Sequence, residues 1–266
     1  MTIDSIEVAK AYAYGAWGDL PIFCGDLINF GYWKYLLDKN SDELITKEKK
    51  IKSSYALYKY ILDKIKFSEN EILLEIGCGR GAGAMYTCRN YFFNRLFCVD
   101  MSADQIDCAK NKFEKFTFSE KVQFIKQDIT DPCFFIDNID FAFSVEAFQH
   151  IADTEKAFRR IKQALKPNGK IAIATYFAKK VVENSIIESI FPLVLSKQES
   201  IKSITLVQDE LEKAGFLNIE IEAIGDYVFY GYEKWVRQQN AHPCSFAYFK
   251  AYEEGILDYY VITATI

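Results

Sequence analysis

The sequence predicts an open α/β fold built on a mostly parallel sheet, and three observations carry that reading. The run Ile72 to Gly83, ILLEIGCGRGAG, passes from an apolar stretch through an acid into a loop with alternating glycines. Continuous apolarity over Ile72, Leu73, Leu74 and Ile76 suits a central strand covered on both faces. From Glu71 onward, strand-like and helix-like runs alternate, which implies right-handed crossovers between parallel strands. A length of 266 residues with 50% hydrophobic and 26% charged content is enough to bury one such core and a helical cap.

Residues 1–70 read as an N-terminal helical cap: an early helix, a turn-rich NFGYW segment at Asn29 to Trp33, and a long helix from Asp42 to Lys66. In that helix Leu44, Ile51, Tyr55, Leu57, Tyr58, Ile61, Leu62 and Ile65 recur at helical intervals, so it is expected to pack on the sheet. Strands are expected near 71–76, 95–100, 121–126, 138–145 and 170–176, within a core segment spanning 71–177. Ser102 with Gln105 forms a capping box, and Asp153 caps a helix running to Leu165, where Pro167 and Gly169 mark the end. Over 178–255, helices near 184–196, 204–214 and 229–253 surround a strand from Leu217 to Ala223 and are expected to cover the substrate. A last strand, Asp258 to Thr265, falls in 256–266. No repeat or low-complexity linker divides the chain, so 1–266 is read as a single domain.

Composition narrows the function classes. With 22 Phe and 17 Tyr, aromatics exceed what a parallel sheet needs, and the surplus either lines a pocket for a bulky, apolar substrate or packs the core. A net charge of -5 and no dense basic run argue against a nucleic-acid surface. Lys47 to Lys52, interrupted by Glu48, reads as a solvated helix face. No run is long enough for a membrane span and the first residues lack a signal pattern, so the expected location is the cytoplasm. Seven cysteines include no CxxC pair, and two histidines with no HExxH give no expected metal site. Homodimerisation stays open.

Gly77-x-Gly79-x-x-Ala82 also satisfies a relaxed dinucleotide fingerprint. Three features weigh against a nicotinamide or flavin cofactor. The loop begins near residue 77 behind a long helical lead-in. Glu75 stands just before the glycines, where a diphosphate would meet negative charge but an ammonium would be favoured. Asp100 and Asp128 then follow two further strand-like runs.

Over roughly residues 71 to 177 the ordered blocks EIGCGRG, FCVDMS, VQFIKQD, IDFAFSVEAFQHI and LKPNGKIAIA resemble the class I S-adenosylmethionine-dependent methyltransferases. The resemblance implies a Rossmann-like, seven-stranded, mostly parallel sheet of order 3-2-1-4-5-7-6, flanked by helices, with residues 217–223 and 258–265 as the antiparallel pair that closes it. It implies S-adenosyl-L-methionine as cofactor. By position, Glu75 is expected near the methionine ammonium, with Gly77 and Gly79 giving backbone access to the methionine part. Asp100 takes both ribose hydroxyls, Met101 packs on adenine, Asp128 accepts the adenine amino group and Ile129 offers its amide to the ring. Gln105 and Val145 complete the cofactor set. Tyr14, Tyr32 and Trp33 are candidates to cover the sulfonium and acceptor, because aromatic faces favour a diffuse cation, and NFGYW resembles the aromatic strip at the mouth of the site in small-molecule members.

His150, just beyond the fourth strand, is the expected general base, since an imidazole titrates near neutrality. Glu146 either binds the acceptor or holds the loop. VEAFQHI resembles the corresponding phrase in methyltransferases acting on sterols, tocopherols, phenolic lipids and glycosylated natural products, whereas the Asn/Asp-Pro-Pro-aromatic signature of many N-methyltransferases is absent. His242, in NAHPC, reads as a turn residue. The expected activity is methyl transfer to a hydroxyl, or a carbon, of a small apolar or aromatic molecule. The alternatives are an isoprenoid or lipid C-methyltransferase and a small-molecule N-methyltransferase. Outside that class stand a non-catalytic cofactor-binding protein and an NADP-dependent reductase.

Overall fold

The computed structural model describes residues 20–38, 42–183, 201–241 and 243–266. Its sheet has seven strands: β1 (Ile72–Ile76), β2 (Arg95–Asp100), β3 (Val122–Lys126), β4 (Ile139–Val145), β5 (Leu165–Ala178), β6 (Leu217–Ala223) and β7 (Leu257–Thr265). They lie in the order β3-β2-β1-β4-β5-β7-β6. Strands β3, β2, β1, β4 and β5 run parallel, and β7 enters antiparallel between β5 and β6. The helices are α1 (Lys47–Ile65), α2 (Ala82–Asn90), α3 (Ala103–Phe113), α4 (Thr154–Ala164), α5 (Ile204–Ala214), α6 (Phe229–Gln238) and α7 (Ala247–Glu253).

Period-two alternation along each strand separates two cores. Leu73, Leu96, Cys98, Phe141 and Phe143 pack toward α1, α2, α3 and α6 on one face. Leu74, Ile76, Ala142, Ile171 and Ile262 pack toward α4 and α5 on the other. Burial on both faces is why the strand runs lack polar relief. Helix caps fall where the residue types dictate: Ser102 accepts from the Gln105 amide, Asp153 from Lys156 and Ser203 from Leu206.

Several expectations are corrected. Thr46 caps α1 by accepting from the Lys49 amide, so that helix starts at Lys47 rather than Asp42, and Leu44 is 71% exposed. Lys50 lies on the buried stripe of α1 instead of a solvated face, because its ammonium finds acceptors inside. Strand β5 reaches back to Leu165 and pairs it with Ile139 before the register shifts. The early helix and the helix expected at 184–196 lie outside the described residues. Among the described residues no helix is long and apolar enough to cross a membrane, and Cys24, Cys78, Cys88, Cys98, Cys108 and Cys133 are free thiols.

One side chain completes the β1–β4 pairing. Asp140 Oδ2 accepts from the Ile72 amide at 2.8 Å and from Lys166 Nζ at 2.7 Å. Asp140→Ala is expected to lower unfolding stability by about 1–3 kcal/mol, because the Ile72 amide loses its acceptor. Asp140→Asn, which keeps that acceptor, should lose less. Urea unfolding of the three proteins checks the order.

Candidate functional site

A cavity of about 590 Å³ opens at the carboxyl ends of β1 to β4. Its floor and sides come from Ile76 to Arg80, Val99 to Ser102, Gln127 to Ile129 and Val145 to Ala147, joined by Asp104, Gln105, His150 and Ile151. Asp26, Ile28 and Tyr58 close it from the cap side. Its size falls within the roughly 300–1,000 Å³ typical of small-molecule sites, and its position is the one open α/β sheets use for ligands.

The glycine loop is tied to the neighbouring strand. The amides of Gly77 and Cys78 both donate to the Val99 carbonyl, at 2.8 and 3.1 Å. Gly77 has φ 71°, and a Cβ there would collide with that of Ala147, so only glycine fits. Gly79, at φ 51°, has nothing within 4 Å of where a Cβ would stand, which leaves its backbone accessible.

Asp100 closes this turn from β2. Its Oδ2 accepts from the Gly79 amide and its Oδ1 from the Ser102 amide, both at 2.9 Å. Burial raises its pKa, and these two amides pull the other way by favouring the carboxylate. Asp128, at the end of β3, accepts from the Thr130 amide at 2.8 Å and hydroxyl at 2.9 Å, both through Oδ1. Ile129 is buried beside it, Gln105 is buried at the start of α3, and Met101 is 68% exposed at the rim. Thus Gly77, Gly79, Asp100, Met101, Gln105, Asp128, Ile129 and Val145 all line one cavity.

Glu75 lies elsewhere. It is 1% exposed beneath the loop and does not line the cavity. The Ala84 amide, in the first turn of α2, and the Cys98 thiol donate to it. Gly81, the N-cap of α2, offers no side chain, so Glu75 supplies the missing acceptor from below. Burial pushes its carboxyl up to about 8. Its geometry is that of a helix cap.

Beyond β4 the chain turns through Glu146 at φ 50° into a short 3-10 turn, Phe148–His150. His150 is exposed and lines the cavity. Gln149 is buried behind it: its Nε2 donates to the Glu146 carbonyl at 2.7 Å and lies 3.3 Å from His150 Nε2, while its Oε1 accepts from Thr175 at 2.6 Å. The imidazole is therefore braced by an amide held at both ends. Glu146 Oε1 accepts from the Phe30 amide at 2.8 Å and the Tyr259 hydroxyl at 3.0 Å.

Tyr32 and Trp33 stand apart from the cavity lining. Tyr32 stacks on Tyr60 with ring centroids 4.5 Å apart, and Trp33 packs against Gly231 of α6 while its indole donates to Phe30 O. These contacts fill the cap core, so neither ring covers the cavity. Tyr14 and His242 lie outside the described residues. Tyr58, Gln149, Asp26 and Ile28 are site residues that sequence reasoning missed. Tyr58 was visible only as one member of a helical stripe, and no local pattern marks the other three.

Residues 74–173 match the family described as Methyltransferase domain. The chain is 33% identical over 159 residues to Phosphoethanolamine N-methyltransferase 2 of Caenorhabditis elegans, covering 59% of this chain and 35% of that protein. The chain thus spans about a third of that relative's length. It is 24% identical over 227 residues to Erythromycin 3''-O-methyltransferase of Saccharopolyspora erythraea, covering 80% of this chain and 68% of that one. Its fold matches geranyl diphosphate C-methyltransferase from Streptomyces coelicolor A3(2), solved with S-adenosyl-L-homocysteine, at TM-score 0.77 and 17% identity over 97% of each chain.

The buried Glu75 carboxyl sets a pH dependence. Its pKa is raised from the usual 4.5 to about 8 in the folded state, so the folded protein binds the proton more tightly than the unfolded chain. That contribution is complete below about 4.5 and is lost as pH rises through about 8. The melting temperature of the ligand-free protein is expected to fall between those limits, and Glu75→Gln should flatten the fall. Thermal denaturation across the window checks it.

Proposed function

We propose that this chain is a class I S-adenosylmethionine-dependent methyltransferase and moves a methyl group to a hydroxyl of a small apolar or aromatic molecule. The observation that carries the reading is one cavity lined by Asp100 and Asp128 beyond β2 and β3, by His150 beyond β4 and by Tyr58 from the cap.

The residues fit the cofactor. Asp100 is a half-buried carboxylate lining the cavity, matched to a pair of vicinal hydroxyls. Gly79 leaves open space for a ligand to approach the main chain, and Asp128 with Ile129 presents an acceptor and an apolar edge suited to adenine. When bound, S-adenosylmethionine supplies an electrophilic methyl on a sulfonium.

The chain's own work is to orient the acceptor, exclude water and take a proton. Positioning alone can supply as much as roughly 7–11 kcal/mol in ideal cases. A hydroxyl must also lose its proton, and His150 is the exposed base on the cavity wall, held by Gln149. Burial holds the Tyr58 hydroxyl well above the usual phenol range, so it serves as a donor that orients the acceptor oxygen and not as a base.

A nitrogen acceptor is the second reading, favoured by the likeness to a phosphoethanolamine methyltransferase. An amine that arrives uncharged needs no base, so the two readings differ at His150.

Asp100→Ala is expected to weaken S-adenosylhomocysteine binding by about 1–3 kcal/mol, the loss of hydrogen bonds to a charged acceptor. His150→Ala should leave that affinity unchanged and lower turnover by about 10²–10⁴ with a phenolic or other hydroxyl acceptor. Labelled-methyl transfer against phenol, lipid-alcohol, isoprenoid and amine panels measures both. Full turnover of an amine by His150→Ala, with no hydroxyl acceptor used, would select the nitrogen reading.

A further inference from the structure

Two opposite charges meet across a single peptide group between the cap and β4. Lys50, on α1, has no exposed surface, and its ammonium donates to the Asn29 carbonyl and to Ser54 Oγ, each at 2.7 Å. The other end of that same peptide unit is the Phe30 amide, which donates to Glu146 Oε1 at 2.8 Å. The peptide dipole thus lies with its negative end on the ammonium and its positive end on the carboxylate, an arrangement that stabilises both charges. Tyr259 adds a second donor on Glu146.

The clamped peptide directly follows part of the cavity wall. Asp26 and Ile28 line the cavity from the cap side, and Glu146 lines it from the sheet side. Asp26 is also paired with Lys112 of α3, so the segment is fixed to the sheet's helices at one end and to the clamp at the other. Apolar contacts hold Phe30 independently: its ring stacks on Tyr232 with centroids 4.0 Å apart and meets the edge of Tyr248 at 5.1 Å. The aromatic packing places the segment in the fold, while the charges fix the orientation of its backbone.

We propose that Lys50 and Glu146 clamp the Asn29–Phe30 peptide and so set the cap-side wall of the cavity, with Glu146 a positioning residue and not a ligand of the acceptor. Oε1 of this carboxylate accepts from both a cap amide and a tyrosine, which fixes the group to the protein. The Lys50 ammonium, with no exposed surface, is held on the Asn29 carbonyl and on Ser54 of its own helix. The kinetic part of the test rests on the methyltransferase reading; the exchange part does not.

The test is amide hydrogen exchange on the full chain, read at Phe30 and its neighbours, for wild type, Lys50→Met, Glu146→Ala and Glu146→Gln. The first two variants are expected to speed exchange of the Phe30 amide by about tenfold or more, with β1 and β4 amides unchanged. Glu146→Gln keeps an oxygen acceptor and should retain most of the protection. With an acceptor in hand, Glu146→Ala should raise KM about tenfold while kcat changes little, and Glu146→Gln should rescue most of that loss. Should Lys50→Met fail to fold, Tyr259→Phe should give a smaller rise in exchange confined to the same segment. Unchanged Phe30 protection in Glu146→Ala overturns the clamp. So does a Glu146→Gln enzyme as slow as Glu146→Ala with wild-type exchange, since the charge would then be acting on the substrate. Absence of turnover with every acceptor, alongside the expected exchange pattern, would sink the methyltransferase reading and leave the clamp standing.

Discussion

The bonds from the Gly77 and Cys78 amides to the Val99 carbonyl are the constraint on which the site depends. They carry the hydrogen bonding of the β1–β2 pair past the end of β1, so the glycine loop folds over the neighbouring strand tip instead of continuing upward. Once the loop is turned this way, the Gly79 amide reaches Asp100 and the Ser102 amide meets it from the other side. Asp100 is then fixed in orientation before any ligand arrives, which lowers the ordering cost of binding. The Ala147 contact against Gly77 joins β4 to the same turn.

Around that turn the molecule holds several ionisable groups that water does not fully solvate, and each has a hydrogen-bond partner of known origin. Glu75 receives the first turn of α2, Asp100 the loop amides, and Glu146 the cap amide and Tyr259. Lys50 returns a positive charge to the same region from α1. Desolvation pushes the Glu146 carboxyl up and draws the Lys50 ammonium down, since burial disfavours both ions. Because breaking one partner of such a set leaves the other uncompensated, these groups tie the cap, the loop and β4 into one unit.

Much of this was legible in the sequence because it follows from periodicity and punctuation. The strand runs at 72–76, 95–100 and 139–145 are apolar because both sheet faces are covered, and α5 falls at Ile204–Ala214 between its Ser203 cap and Gly215. Strand-tip residues are legible for the same reason: Asp100 ends β2 and Asp128 lies two residues past β3. What escaped reading depends on which charge meets which dipole in three dimensions. Lys50 looked like one of a run of solvated lysines, and only the fold supplies its carbonyl. Glu75 reads as a ligand until the phase of β1 turns it under the loop toward α2. Tyr32 and Trp33 read as a cover because aromatic content does not say whether a ring faces a cavity or a core. Gln149 carries no signal, since its partners come from Thr175 on β5 and from the turn itself.

The central claim is that the carboxylates at the strand tips hold a nucleoside bearing an amino acid and not a dinucleotide. Isothermal titration of the full chain with S-adenosylhomocysteine and, separately, with NADPH tests it most directly. Saturable one-to-one binding of S-adenosylhomocysteine and no heat of binding from NADPH are expected. Binding of NADPH alone would contradict it.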